Sequence, residues 1–459
     1  MFRVLVFCAA LALAVPGVIS VASNATGAPA APPPSVLAAL PEDPDPTPTV
    51  VPTASPSPGD VTPPQTTAHG AGSGWRRTAA TVRLEATDDA SGVAATVYRL
   101  DEGDWTIGDR IEVEAPKSHA NDGRHVITYY SVDNALNQET PQTVEVLIDT
   151  RPPKFAWTSV SPGLITSIRT VTCRFRIDEF TGPLRLSYEI TDQYGYPVAG
   201  KGGLERDAGK RALQFVPRYR DGKGFAPGVY RVRITAKDEA GNETVSAWRP
   251  FRNYRPMTGG VWRHISGAGK RVALTFDDGG NAAWASILST LKRYGAHATF
   301  FPLGSYAASS ATLMRLTLEQ GNAIGSHGWT HTQMTRQSTA QIQSEWMRAA
   351  APWWSATGSS PVPYCRPPYG DYNGSVVAAS GAAGFYRVIL WDVDPRDWSQ
   401  PGAGVIASRV LSAVHPGAIV VMHLTPQTAA ALPAILSGLH ARGYEACSLP
   451  EMFHAAHLR

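Results

Sequence analysis

From about Val261 onward the hydrophobic pattern repeats one theme, a short apolar run followed by a helical segment. Seven runs ("RVALTF", "ATFFP", "AIGSH", "PYCRPP", "YRVILWD", "AIVVMH", "EACSL") alternate with stretches such as "AWASILSTLKRYG", "QIQSEWMRAAAPWW" and "TAAALPAILSGLHARGY". Strands that short, apolar throughout and joined through helices, pair in parallel and must be covered on both faces. The last 205 residues, 255–459, are therefore expected to form an α/β barrel or an open α/β sheet. Gly295, Gly321, Gly417 and Gly443 are placed to end four helices, and Ser338 with Gln341 reads as a capping box.

The preceding region has a different period. "TVRLEATD", "VAATVYRLD", "RHVITYYSVD" and "QTVEVLID", then "VTCRFRI", "RLSYEITD", "ALQFVPR" and "GVYRVRITAKD", alternate apolar and polar residues as half-buried strands do. "YYSVDNALNQET" (129–140) and "RITAKDEAGNET" (233–244) end a long strand in the same way, so the pattern is an internal repeat. These two stretches resemble bacterial immunoglobulin-like modules, which implies two all-β sandwiches at 76–151 and 152–254. Their Asp-rich turns are read as plain hairpins, because no spaced Asp/Asn calcium loop is visible. "GYPVAGKG" (195–202) approaches a phosphate-loop pattern but lacks its Ser or Thr and a following helix, and is read as a hairpin loop.

Residues 24–75 are rich in Ala, Pro, Ser and Thr and are expected to be a disordered, extended linker. Residues 1–23, with Arg3 ahead of an apolar run, read as a signal peptide; the alternative is an uncleaved membrane anchor. Either places the chain outside the cytoplasm, secreted or associated with a cell wall. A net charge of +3 and 17% charged residues give no nucleic-acid footprint. Cys173, Cys365 and Cys447 remain after Cys8 in the signal, and no structural disulfide is expected. A monomer is the default.

The polar residues of the C-terminal region fall at strand ends, where the loops of an α/β barrel build its active site. Asp277 and Asp278 end the first strand, His327 and His331 follow the third, and Arg366 and Tyr369 follow the fourth. Asp394, Asp397 and Trp398 follow the fifth, and His423 ends the sixth. One carboxylate and two imidazoles, Asp278, His327 and His331, make a three-ligand metal site with positions left for water. Zinc there, or cobalt, brings the pKa of water from ~15.7 toward ~7. Asp277 is then the base, oriented by Arg366.

"TFDDG", "H-x-x-x-H", "RPPYG", "D-x-x-DW" and the strand-terminal His, in that order, resemble the five motifs of the polysaccharide deacetylase family, carbohydrate esterase family four. The resemblance covers residues 271–453 and implies a distorted (β/α)7-type barrel that removes acetyl groups from sugars. It further implies that the Tyr369 amide binds the oxyanion and that His423 protonates the leaving amine, with Asp397 as its acidic partner. Trp398 and Val421 would wall a pocket for the acetyl methyl. Trp329, Trp353 and Trp354 are read as core rather than sugar-stacking residues. Gly280, Ser326 and Leu424 depart from the family pattern, which commonly has Pro, Asn and Asp there.

The leading expectation is an exported, metal-dependent hydrolase that removes N-acetyl groups from N-acetylglucosamine glycans, peptidoglycan first and chitin oligomers second. An O-acetyl xylan esterase of the same family is the near alternative, because the same motifs serve either bond. A non-catalytic wall-binding protein that works through its immunoglobulin-like modules is the alternative from another class. No G-x-S-x-G serine-esterase elbow occurs.

Overall fold

The structure, a computed structural model, describes residues 59–458. The segment read as signal and the first part of the linker lie outside the described residues. The rest of the linker is not unstructured throughout: Gln65–His69 and Gly72–Arg76 are strands. Composition hid them because the first is anchored by polar groups. The Thr66 amide donates to Glu139 at 3.0 Å, and its hydroxyl shares a 2.7 Å bond with Ser131.

Two two-layer β modules follow. In the first, Gln65–His69, Ala80–Thr87 and Arg110–Val113 form one sheet. Its Val82, Leu84 and Ile111 pack with Ile127, Val146 and Ile148 of a five-stranded second sheet. In the second module, Lys154–Ser161, Val171–Asp178 and Gly209–Phe215 lie in one sheet. Leu184–Asp192, Pro197–Arg206, Gly228–Lys237 and Arg249–Asn253 belong to the other. Phe175 and Phe215 pack with Val232, Ile234 and Phe251 between them. Alternating burial along Val171–Asp178 and Gly228–Lys237 is what the period-two pattern requires. The "GYPVAGKG" stretch is not a loop. Gly195 (φ 92) makes the turn, Asp192 Oδ1 accepts the amides of Tyr194 and Tyr196, and from Pro197 the chain is strand.

All seven apolar runs of the C-terminal region contain strands: Arg271–Asp278, Thr299–Pro302, Ala323–Ile324, Tyr364–Cys365, Arg387–Ile389, Ile419–His423 and Glu445–Cys447. An eighth, Gly260–Trp262, pairs in parallel with Arg387–Ile389. The ladder is broken into two sheets, and single bridges, Ser326 with Cys365 and Val393 with Val420, connect them. Arg271–Asp278 is central, paired in parallel with Thr299–Pro302 and Ile419–His423, and with Glu445–Cys447 along its first residues. Helices Asn281–Tyr294, Ala403–Ala413 and Pro426–Ala441 cover it through Trp284, Ile287, Ile406, Leu432 and Ile435.

Gly295 caps its helix in the left-handed conformation, as does Gly358, and the Ser338–Gln341 capping box is formed. Gly417 ends no helix. The helix before it stops at Ala413, and Pro416, which has no amide to donate, bars its continuation. Gly417 instead packs against the Ile265 backbone, where a β carbon would overlap the Ile265 carbonyl. Trp353 is buried in the core, but Trp329 and Trp354 are half-buried beneath Arg348 and Arg252, at 4.7 and 4.2 Å. Cys173, Cys365 and Cys447 are buried, free thiols.

The second module is joined to the α/β region by buried contacts. Gln193 and Ser360 exchange two hydrogen bonds of 2.8 and 3.0 Å, and the Tyr254 hydroxyl donates to Ser360 Oγ at 2.6 Å. Tyr254 packs in the same core cluster as Trp346, Phe385 and Val388. A boundary between residues 254 and 255 therefore cuts through a shared core. Among the described residues no helix is long and apolar enough to cross a membrane.

Candidate active site

Asp277 and Asp278 end the central strand, and successive residues of a strand face opposite ways. Asp277 lies inward, 2% exposed. Its Oδ1 accepts from Arg366 Nη1 at 2.7 Å. Arg366 is fully buried, and its other donors go to Thr275 Oγ1 (2.7 Å), Ile389 O (3.1 Å) and Leu390 O (3.2 Å). Burial pulls the Arg366 guanidinium below its ordinary pKa, and Asp277 opposes that shift. Four partners, two on the central strand and two consecutive carbonyls, thus fix one guanidinium beneath the Asp277 carboxylate.

Asp278 has a φ of 72°, a left-handed backbone that Asp tolerates better than most residues. Its Oδ1 lies 3.3 Å from both His327 Nε2 and His331 Nε2. That oxygen is shielded from solvent and takes no well-directed hydrogen bond. One ligand atom from each of the three residues falls within 4.8 Å of the others. Burial alone would raise the Asp278 carboxyl pKa, but the two facing imidazoles hold it well below the usual carboxylate range. His327 Nδ1 is 2.9 Å from the Arg366 carbonyl. A proton on Nδ1 donates there and leaves the Nε2 lone pair directed at Asp278. Two imidazole nitrogens facing one orphaned buried carboxylate oxygen fit a borderline divalent cation such as zinc.

The H-x-x-x-H spacing is not helical here; the two histidines flank a loop. Glu345, from helix Thr339–Thr357, holds it by accepting the amides of Trp329 (2.8 Å) and Thr330 (2.7 Å). Tyr369 stands on the other side, its ring edge-on to His331 at 4.3 Å. It is 64% exposed and has a φ of 61°, uncommon for an aromatic residue and worth on the order of 1–3 kcal/mol of strain.

Strand register supplies the next element. Asp277 pairs with His423 across the parallel ladder, so the two side chains share a face, with Thr275 and Val421 one step below. His423 Nδ1 is 2.7 Å from Asp397 Oδ1, while Asp397 Oδ2 accepts the His423 amide (2.7 Å) and the Thr428 hydroxyl (2.5 Å). Burial disfavours the imidazolium, but Asp397, with Asp277 and Asp278 nearby, pushes His423 up to about 9. Trp398, next to Asp397, is 60% exposed at the rim, and Val421 is buried on the His423 strand. Asp394 closes the preceding turn by accepting the Arg396 amide at 2.7 Å and touches none of these groups by hydrogen bond.

Sequence reasoning did not find Thr275, Glu345 or Thr428. Each orients a site residue from an element distant in sequence, and Ser, Thr and Glu are too common to stand out without the fold. Two departures from the family pattern meet one another: a β carbon on Gly280 would overlap the Leu424 carbonyl oxygen, and the Leu424 amide donates to the Asp277 carbonyl at 3.1 Å.

Residues 264–388 match the family model for polysaccharide deacetylase. The chitooligosaccharide deacetylase of Bradyrhizobium sp. (strain ANU 289) is 34% identical over 204 residues, 41% of this chain and 92% of that protein. The chain belongs to the polysaccharide deacetylase family. The peptidoglycan-N-acetylglucosamine deacetylase PgdA of Listeria monocytogenes is 39% identical over 186 residues, 40% of this chain. The match spans 39% of the length of that Listeria protein. Among solved structures, a family 4 carbohydrate esterase from Streptomyces lividans in complex with acetate is 34% identical. That match covers 40% of this chain and 92% of the other, with a TM-score of 0.37. The polysaccharide deacetylase match stops before Asp397 and His423, so their pairing rests on geometry.

Proposed function

We propose that the protein is a divalent-metal-dependent N-deacetylase of glycans containing N-acetylglucosamine, with peptidoglycan or chitin oligomers as substrate. The observation that carries this reading is the Asp278–His327–His331 cluster, whose Asp278 adjoins Asp277, the strand partner of His423. Two relatives named as deacetylases of N-acetylglucosamine polymers support the N-acetyl choice over an ester. The N-terminal signal reading supports action outside the cytoplasm, with the β modules holding the catalytic region toward a wall glycan.

Asp278, His327 and His331 would hold the ion, most suitably zinc, with cobalt as a substitute. Bound there, it lowers the pKa of water toward ~7 and polarises the acetyl carbonyl. Asp277 takes a proton from the attacking water, its carboxylate kept in place by Arg366. The Tyr369 amide donates to the carbonyl oxygen as negative charge develops on it. His423 gives its proton to the departing sugar amine, with Asp397 and Thr428 fixing the ring. Val421 and Trp398 bound the space for the acetyl methyl.

The decisive experiment measures acetate release from N-acetylglucosamine oligomers, peptidoglycan and acetylated xylan. Release from the N-acetyl substrates is expected, abolished by chelation and restored by zinc or cobalt. Metal-loaded protein that releases no acetate from any of them overturns the proposal, and preference for xylan replaces it with the ester reading.

The His423 shift carries its own test. The acid form is present below about pH 9 and is lost as pH rises through that value. The alkaline limb of kcat/KM therefore falls near there. Asp397→Asn removes the charge that sustains the imidazolium and draws the limb toward neutrality. Near pH 8, kcat/KM should drop by about tenfold or more relative to wild type. An unmoved alkaline limb refutes the assignment of His423 as the acid.

A further inference from the structure

We propose that each β module carries a calcium site built from three carboxylates, Asp60–Asp88–Asp133 in the first and Asp149–Glu179–Asp238 in the second. In each triad one ligand oxygen per residue lies within 4.8 Å of the other two. Asp133 and Asp149 are fully buried and Asp238 nearly so. Asp60, Asp88 and Glu179 are partly buried. Three negative charges that close together and largely shielded from water repel unless a cation stands among them.

The two triads are built alike. The first acid of each opens a D-x-x-P-P segment, "DVTPP" at 60–64 and "DTRPP" at 149–153. The second follows the end of a strand, after Thr87 and after Asp178 respectively. The third closes or follows the long strand of the repeat, Gly123–Asp133 and Gly228–Lys237. An Asn four residues on does the same work in both. Asn137 Nδ2 donates to Asp133 Oδ2 (2.7 Å) and to the Asp60 carbonyl (3.2 Å). Asn242 Nδ2 donates to Asp238 Oδ2 (2.9 Å) and to the Asp149 carbonyl (2.9 Å).

An independent observation points to a ligand. Asp88 Oδ1 and Glu179 Oε2 are wholly shielded from solvent and accept no hydrogen bond, and each belongs to the middle carboxylate of its triad. A buried carboxylate oxygen with no donor is costly, and a coordinated cation removes the cost. The donors are all oxygen, without imidazole or thiolate, which selects a hard cation. A shell drawn from separate loops suits calcium, which accepts six to eight oxygens in irregular geometry, better than octahedral magnesium. This replaces the plain-hairpin reading of these turns, and it does not depend on the catalytic proposal.

The test uses the full chain, stripped with chelator, saturated with zinc and titrated with calcium chloride. Native mass spectrometry and calorimetry should count two calcium ions beyond the zinc, with a rise in the unfolding temperature that magnesium at equal concentration does not reproduce. Asp88→Asn and Glu179→Gln should each remove one calcium and together both, with acetate release changed by less than about twofold. Where either variant fails to fold by circular dichroism, Asp133→Asn or Asp238→Asn replaces it, since the neighbouring Asn can still bond an amide oxygen. No calcium bound at millimolar concentration, a count unchanged in the double variant, or equal binding of magnesium overturns the proposal.

Discussion

Asp277→Asn should lower kcat for acetate release by about 10²–10⁴-fold, the usual contribution of a general base. Asn keeps the size of the side chain and an oxygen to accept from Arg366 Nη1, which sits at 2.7 Å in the native protein. It cannot take a proton from water. The Asp278, His327 and His331 side chains are untouched, so metal content by elemental analysis should stay at the wild-type value. Loss of activity with metal retained isolates proton transfer from metal binding. A variant that turns over within about threefold of wild type would leave Asp277 a structural partner of Arg366 and nothing more.

Arg366→Met should have the largest effect on folding. Arg366 is fully buried and serves Asp277, Thr275 and the carbonyls of Ile389 and Leu390 at once. Removing it strands a buried carboxylate, a change that typically costs about 3–5 kcal/mol. The expected observation is a lower denaturant midpoint for the α/β region, with acetate release lost even where the protein remains folded. Adding Asp277→Asn removes the stranded charge, so the double variant should recover part of the stability and none of the turnover. If the double variant is less stable than Arg366→Met by the full cost of a second lesion, the two groups are not coupled.

Much of this site was legible because its residues sit at the ends of apolar runs. Asp277 and Asp278 after "VALTF" and His423 after "AIVVM" could be placed on strands before any fold was known, and strand order then brought them together. The Asp278, His327 and His331 cluster, proposed to hold the metal, followed from residue types and spacing. What stayed hidden is what depends on long-range packing. Glu345 reaches back to the loop between two histidines, and Thr428 completes Asp397 from a helix that begins after His423. Neither position has a local signal. The same limit applies to the fold. The strands Gln65–His69 and Gly260–Trp262 are too polar or too short for periodicity to show, and they exist because a partner strand is waiting. The carboxylates of the proposed calcium sites were not read together for a related reason: they come from three separated turns rather than one loop.

The reciprocal bonding of Gln193 with Ser360, and the anchoring of Tyr254 beside it, bear on how such a chain can be recombined. A graft that carries only residues 255–459 to a new host would lose Tyr254 from the core around Trp346 and Phe385 and leave the Ser360 peptide without its amide clasp. The second β module must travel with it as a single heritable block. The natural crossover point for exchanging what lies upstream is instead just before Asp149, where one β module gives way to the next.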